Sequence, residues 1–223
     1  MNAKSLLLAS GSPRRVKLSS EGGFKFKIVK PSVSERADPH LTARELTGWN
    51  AVRKGMAVAK RNPRDVVLAA DTVVAVGNKI IGKPNDLQDA VRILRRLSGR
   101  THQVYSSVFI AQLAQGKAEL FCEISTVRFR KLKAGEVRSY LGRINPLDKA
   151  GAYAAQGHGA DIIAKIDGSY SNVIGLPMEQ TVTVLARFGI RPVRRPIALP
   201  PFRALPARER GVRAAKRGTR TKR

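Results

Sequence analysis

Two arginines set directly after a run of small residues are the first feature that could do chemistry. In Ala9-Ser10-Gly11-Ser12-Pro13-Arg14-Arg15 an apolar stretch gives way to a turn and then to a helix start. Free backbone N–H groups and the helix dipole favour an anion there, and two guanidiniums add bidentate donors. Arginines in a first turn oppose the dipole, which a purely structural design would avoid; the plainer reading is a strand-to-helix turn with solvated arginines. Asp71, in Ala70-Asp71-Thr72, follows a continuous apolar run. A carboxylate at the end of such a strand is partly desolvated and suits a metal ligand or a general base, or equally a cap on a loop.

Three further segments bear on the same chemistry. Gly77 to Pro84 comes near a phosphate loop, but Pro84 stands where that loop needs Ser or Thr, so Lys83 is left as a lone cation at a hairpin end. Asp148 to Ala160 and Asp167 to Pro177 are rich in small residues that let backbone approach a ligand, and Gln156 could read a base edge. Gly157-His158-Gly159 lacks the third glycine of a dinucleotide fingerprint and opens a strand; tight turns without function are the simpler account. His40, His102 and His158 have neither metal spacing nor a nucleophile partner and are read as satisfied structural residues. Cys122, the single cysteine, is expected to be buried and inert, and excludes an internal disulfide.

The elements that must position these residues follow from pattern. Ser5–Ala9 is a buried strand, with Ser12 as N-cap and Pro13 as first residue of the helix that follows. Thr42-Ala43-Arg44-Glu45 fits a capping box that opens a helix running to Lys60, closed by Pro63. Val66–Ala70 is a central strand, and Val73–Val76 and Lys79–Ile81 flank Gly77-Asn78 as a hairpin. Leu87, Ala90, Val91, Leu94 and Leu97 share one helical face, ended by Gly99. Val104–Leu113, Glu119–Arg130 and Ala160–Lys165 are further strands. The alternation predicts an α/β (or α+β) domain.

Charge divides the chain. Its 223 residues carry 42 Lys and Arg against 16 Asp and Glu, a net +26. Residues 191–223 hold twelve of those cations against Glu209 alone, with five of the twelve prolines. Spaced prolines favour extended chain, so 191–223 is expected to be a disordered basic appendage on a globular body, 1–190, with at most a short helix near Ala207–Arg217. At 43% hydrophobic the body can bury a core. No apolar run approaches a membrane span, and Leu6–Ala9 is too short for a signal peptide, so a soluble cytoplasmic protein is expected.

Taken together, Leu8–Arg15, Ala70–Thr72, Gly82–Pro84, Leu97–Val104, Asp148–Tyr153 with Gln156-Gly157, and Gly168–Tyr170 with Gly175–Pro177 resemble the Maf family of nucleoside triphosphate pyrophosphatases. The blocks stand in the family's order over roughly residues 4–190. The resemblance implies a mixed, bent sheet flanked by helices, with two lobes around a nucleotide-binding cleft. It implies hydrolysis between the α and β phosphates with a divalent cation, Mg²⁺ or Mn²⁺. Asp71 would be the base that activates water, and Glu35 with Asp71 the metal ligands. Ser10, Arg14, Arg15, Lys54 and Lys83 match phosphate-side positions, and Lys149 is a further cation facing the same anion. Arg14, Thr72 and Gln156 are similar to the subgroup that prefers dTTP and UTP; relatives that prefer 7-methyl-GTP carry glutamine in place of Thr72. A homodimer is the expected assembly. Two other readings stay open: a modified-nucleotide pyrophosphatase of the same family, and a nucleic-acid or ribosome-associated or division-regulating protein acting through the basic tail.

Overall fold

Leu6-Leu7-Leu8 has no polar face, and a strand of that kind needs cover on both sides. The computed structural model, which describes residues 5–204, supplies it. Strand β1 (Leu6–Leu8) pairs in parallel with β2 (Phe26–Ile28) on one side and with β3 (Val66–Val76) on the other. The β1-to-β2 crossover is helix α1 (Pro13–Glu21). The rest of the sheet is antiparallel: β3 pairs with β4 (Lys79–Ile81) and with β5 (Thr101–Gln112), then β6 (Lys117–Phe129) and β7 (Ile163–Asp167) follow. The order is β2-β1-β3-β5-β6-β7, with β4 set beside β3, so the sheet is mixed as expected.

Helix α2 (Ala43–Ala59) covers one face. Its Val58 and Ala59 pack on Leu7, Ala9, Val67 and Ala69. Gly55 lets it come close, because a Cβ there would stand 2.3 Å from Phe109 Cδ1. The capping box is present: the Glu45 amide donates to Thr42 Oγ1, and Glu45 Oε2 accepts from the Thr42 amide at 2.9 Å. The opposite face holds the main core, built from Leu6, Leu8, Leu68 and Val108 with α3 (Leu87–Leu97), α4 (Ala134–Leu141), α5 (Tyr170–Ile174) and α6 (Met178–Arg187).

Several local expectations change. Asp71 does not end a strand: β3 runs through it to Val76, because β5 pairs with it from Val67 to Ala75. Ser12 starts α1 by position, but its side chain makes no capping bond; its amide instead donates to Ser10 Oγ at 3.1 Å. Gly157–Asp161 forms a 3₁₀ turn, and β7 begins only at Ile163. Cys122 is half-buried. His102 is buried and donates to or accepts from the Tyr153 hydroxyl at 2.9 Å, but its Nδ1 has no partner among the described residues, and burial lowers its pKa to about 4. Residues 191–204 are irregular in secondary structure yet lie against the body, with Leu199 and Phe202 packed on the main core. The short helix expected near Ala207–Arg217 lies outside the described residues. Among the described residues no helix is long and apolar enough to cross a membrane.

Candidate active site

The site arises where β3 outruns its neighbours. β1 pairs with β3 only as far as Leu68, and β4 joins it only at Val74. Between those points one edge of β3 is open, beside the turn that leads into α1. In a sheet with parallel strands this crevice beyond the carboxyl end of a strand is where ligands bind. The cleft there has a volume of about 760 Å³. Ser10, Arg14, Arg15, Glu35, Lys54, Asp71, Thr72, Lys83, Lys149 and Gln156 all line it, so every site residue anticipated from the sequence comes to one place.

Strand alternation splits Asp71 from Thr72. Asp71 shares the α2 face with Val67, Ala69 and Val73, whereas Thr72 shares the main-core face with Leu68, Ala70 and Val74. Asp71 is buried at 5% exposure. Its Oδ1 accepts from Lys54 Nζ at 2.6 Å, and its Oδ2 from Asn50 Nδ2 at 3.3 Å. Asn50 and Lys54 lie one turn apart on the buried face of α2, which explains how one helix reaches the same carboxylate twice. Asn50 also donates to the Arg36 carbonyl at 3.1 Å and accepts from the Arg36 amide at 2.8 Å, fixing the segment that carries Glu35. Asn50 escaped the sequence reading, although a polar residue at helical spacing from Lys54 was its available signal.

Glu35 closes the acidic group. Its Oε1 accepts from Lys54 at 2.7 Å and its Oε2 from Lys83 at 2.9 Å. Burial pushes this carboxyl up, but the Lys54 charge and hydrogen bond, with those of Lys83, outweigh it and hold it at about 2. Two carboxylates thus bond to one buried lysine. Across the cleft Arg15 donates Nε–H to the Gly175 carbonyl at 2.9 Å and Nη2–H to Thr72 Oγ1 at 3.0 Å. Burial lowers its pKa, partly offset by the nearby charge of Asp71. Thr72 Oγ1 also shares a 2.9 Å hydrogen bond with Ser106 Oγ, so its hydroxyl braces the cleft wall and aims Arg15.

Arg14 points the other way and donates to Asp148 Oδ2 at 2.7 Å and to its carbonyl at 3.0 Å. Lys149 Nζ donates to Asp148 Oδ1 at 2.6 Å and to the Asn145 carbonyl at 2.7 Å. Burial raises the Asp148 carboxyl, but Lys149 and Arg14 bring it below the usual range. The motif around Asp148 does not reveal in sequence that its carboxylate anchors two cations. The next turn is tightly built: Gly151 has φ +73, and its Cβ would meet Val74 Cγ2 at 2.9 Å.

Arg14, Arg15, Lys54, Lys83 and Lys149 thus ring a cleft whose anionic groups are Asp71, Glu35 and Asp148. Such a ring can neutralise a polyphosphate, and the buried carboxylate can accept a proton from water. Among the described residues no three His, Cys, Asp or Glu gather to hold a metal. Glu35 and Asp71 supply hard oxygen donors that suit Mg²⁺, a cation that keeps several waters and takes its remaining ligands from phosphate.

The family model described as "Maf-like protein" matches residues 5–188. A protein of Bacillus pumilus named "dTTP/UTP pyrophosphatase" is 42% identical over 187 residues, covering 84% of this chain and 98% of that one. A protein of the same name from Myxococcus xanthus is 44% identical, covering 83% of this chain and 93% of its own length. Another, from Symbiobacterium thermophilum, is 44% identical over 82% of this chain and 94% of its own. The motif order, the cleft they build and these matches agree: the chain belongs to the Maf family.

Proposed function

We propose that the protein is a nucleoside triphosphate pyrophosphatase that takes dTTP and UTP to the monophosphate and pyrophosphate. The observation that carries this reading is the gathering of six cations, Lys30 among them, and a buried, ion-paired Asp71 in one cleft, in a chain whose relatives are named for that activity. Arg14 and Arg15 extend from the first turn of α1, Lys54 from α2 and Lys83 from the segment after β4, so a triphosphate's charge is met from several elements. Asp71 takes the proton of the attacking water. No covalent intermediate is needed, because water can attack in line while the cations stabilise the departing pyrophosphate. Glu35 and Asp71 would hold a divalent cation, which supplies further neutralisation of the phosphate oxygens. Arg14, Thr72 and Gln156 would set the preference for a pyrimidine base, with Thr72 acting through Arg15 and the Gly175 carbonyl. A nucleic acid is the partner proposed for the basic residues after Ala204, on charge alone.

The test is a triphosphate panel, including 7-methyl-GTP, scored for pyrophosphate release with Mg²⁺ or Mn²⁺. Turnover of dTTP and UTP is expected to lead, and Asp71→Asn to lower kcat by about a hundredfold or more. Full turnover in Asp71→Asn would remove it as the base, and preference for a purine triphosphate would overturn the substrate assignment.

A further inference from the structure

Residues 191–204 lie beyond the stretch matched by the family, which ends at residue 188, and they form neither helix nor strand. They are nonetheless pinned to the body. The Val193 amide donates to the Gly23 carbonyl at 2.9 Å and the Ile197 amide to the Glu21 carbonyl at 2.7 Å. The segment therefore crosses the C-terminal end of α1 as a strap. Gly23 has φ +79, and a Cβ there would stand 2.3 Å from the Arg194 carbonyl oxygen and 3.2 Å from Pro192 Cβ. The strap fills the room that a side chain would need. Farther along, the Phe202 ring lies 5.9 Å from the ring of Tyr170.

Tyr170 is the first residue of α5, and its hydroxyl donates to the Ala155 carbonyl at 3.1 Å. Ala155 and Gln156 line the cleft. Helices α1 and α5 are already joined on the cleft side by the Arg15 bond to the Gly175 carbonyl. The strap joins the same two helices from outside, so a shift of either has to break contacts at both places. A chain of contacts runs from Phe202 to Tyr170 to the Ala155 carbonyl and so to the neighbouring Gln156.

We propose that residues 191–204 are a positioning strap for the base end of the cleft, in which Phe202 fixes Tyr170 and Tyr170 holds the loop that presents Gln156. The proposal rests on the pyrimidine-triphosphate reading above. The experiment compares the full chain with chains ending at Ile190 and at Ala204, with Phe202→Ala, and with Phe202→Tyr as the conservative variant. Ending at Ile190, or Phe202→Ala, is expected to raise KM for dTTP about fivefold with kcat within about twofold, the signature of lost binding common to ground and transition states. Phe202→Tyr and the chain ending at Ala204 should match the full chain. Amide hydrogen exchange over residues 153–157 should accelerate in the two impaired variants and not in the others. A lowered Tm with unchanged KM and unchanged exchange would overturn the proposal, leaving the strap as a brace for α1. Should the chain ending at Ile190 not fold, Phe202→Ala decides the matter by the same readouts. Failure of the full chain to turn over any pyrimidine triphosphate would sink the functional reading instead, and exchange at 153–157 would still judge the strap.

Discussion

Lys54 carries the electrostatics of the site: it is buried at 7% exposure, with one carboxylate at 2.6 Å and another at 2.7 Å. A buried ammonium is tolerable only when paired, and the reverse holds for the buried Asp71. Lys54→Met should therefore cost about 3 kcal/mol at pH 7, most of it from stranding Asp71, since the Glu35 side chain is 44% exposed and keeps Lys83. The pH dependence has a definite sign. Glu35 is held at about 2 against an ordinary 4.5, so its contribution is complete above 4.5 and disappears as pH falls through 2. Urea unfolding of the two proteins should show a gap that narrows between pH 4.5 and 2; a gap constant across that window would refute the coupling. Residue identities were largely legible in the sequence, because Lys, Arg and Asp in motifs announce their chemistry. Their partners were not: Asn50, Asp148 as an anchor and Ser106 matter through contacts with residues distant in the chain.

At the level of elements, α2 and β3 set the distance between acid and ammonium. The helix was readable from its capping box and from Pro63, which are local signals, and its bounds agree closely. The full length of β3 was not, since a polar residue inside an apolar run marks a strand end unless a neighbouring strand pairs past it, as β5 does. Gly55 fixes how near the helix lies. Intrinsic propensity favours alanine over glycine in a helix by roughly 1 kcal/mol. Here the added methyl would meet Phe109 Cδ1 at 2.3 Å and Cε1 at 2.9 Å, so the helix or the ring must move. Gly55→Ala is expected to lower stability by about 1–3 kcal/mol, against its propensity, as overpacked cores do. The same displacement carries Lys54 away from Asp71, and kcat should fall about tenfold or more, given how steeply rate follows misplacement. Denaturation and steady-state kinetics on one preparation check both; a stabilised variant with normal kcat would show that the helix does not set this geometry.

For the whole molecule the charge has three separate meanings. Within the body, Arg14, Lys54, Lys83 and Lys149 face the cleft and meet carboxylates there, and Arg15 faces it on hydroxyl and carbonyl partners. Residues 191–204 carry Arg191, Arg194, Arg195 and Arg203, and this stretch belongs to the packed structure through Gly23, Ser20 and Phe202. Sequence pattern placed the boundary at 190, because proline spacing and charge mark extended chain but do not reveal that Gly23 leaves room for it. Residues 205–223 then hold eight Lys and Arg against Glu209. Cations so concentrated bind polyanions by releasing counterions, with the logarithm of affinity falling by about 0.9 per phosphate contact as the logarithm of salt rises. Only Phe202 is aromatic beyond residue 190, so base stacking adds little and single and double strands should be held alike. Ending the chain at Ala204 is accordingly expected to leave dTTP turnover intact while flattening the salt dependence of DNA retention, measured at two salt concentrations. If the slope is unchanged, the body's own cations hold the polyanion. If turnover falls as well, these residues act on the cleft, and the separation of a catalytic body from a basic extension fails.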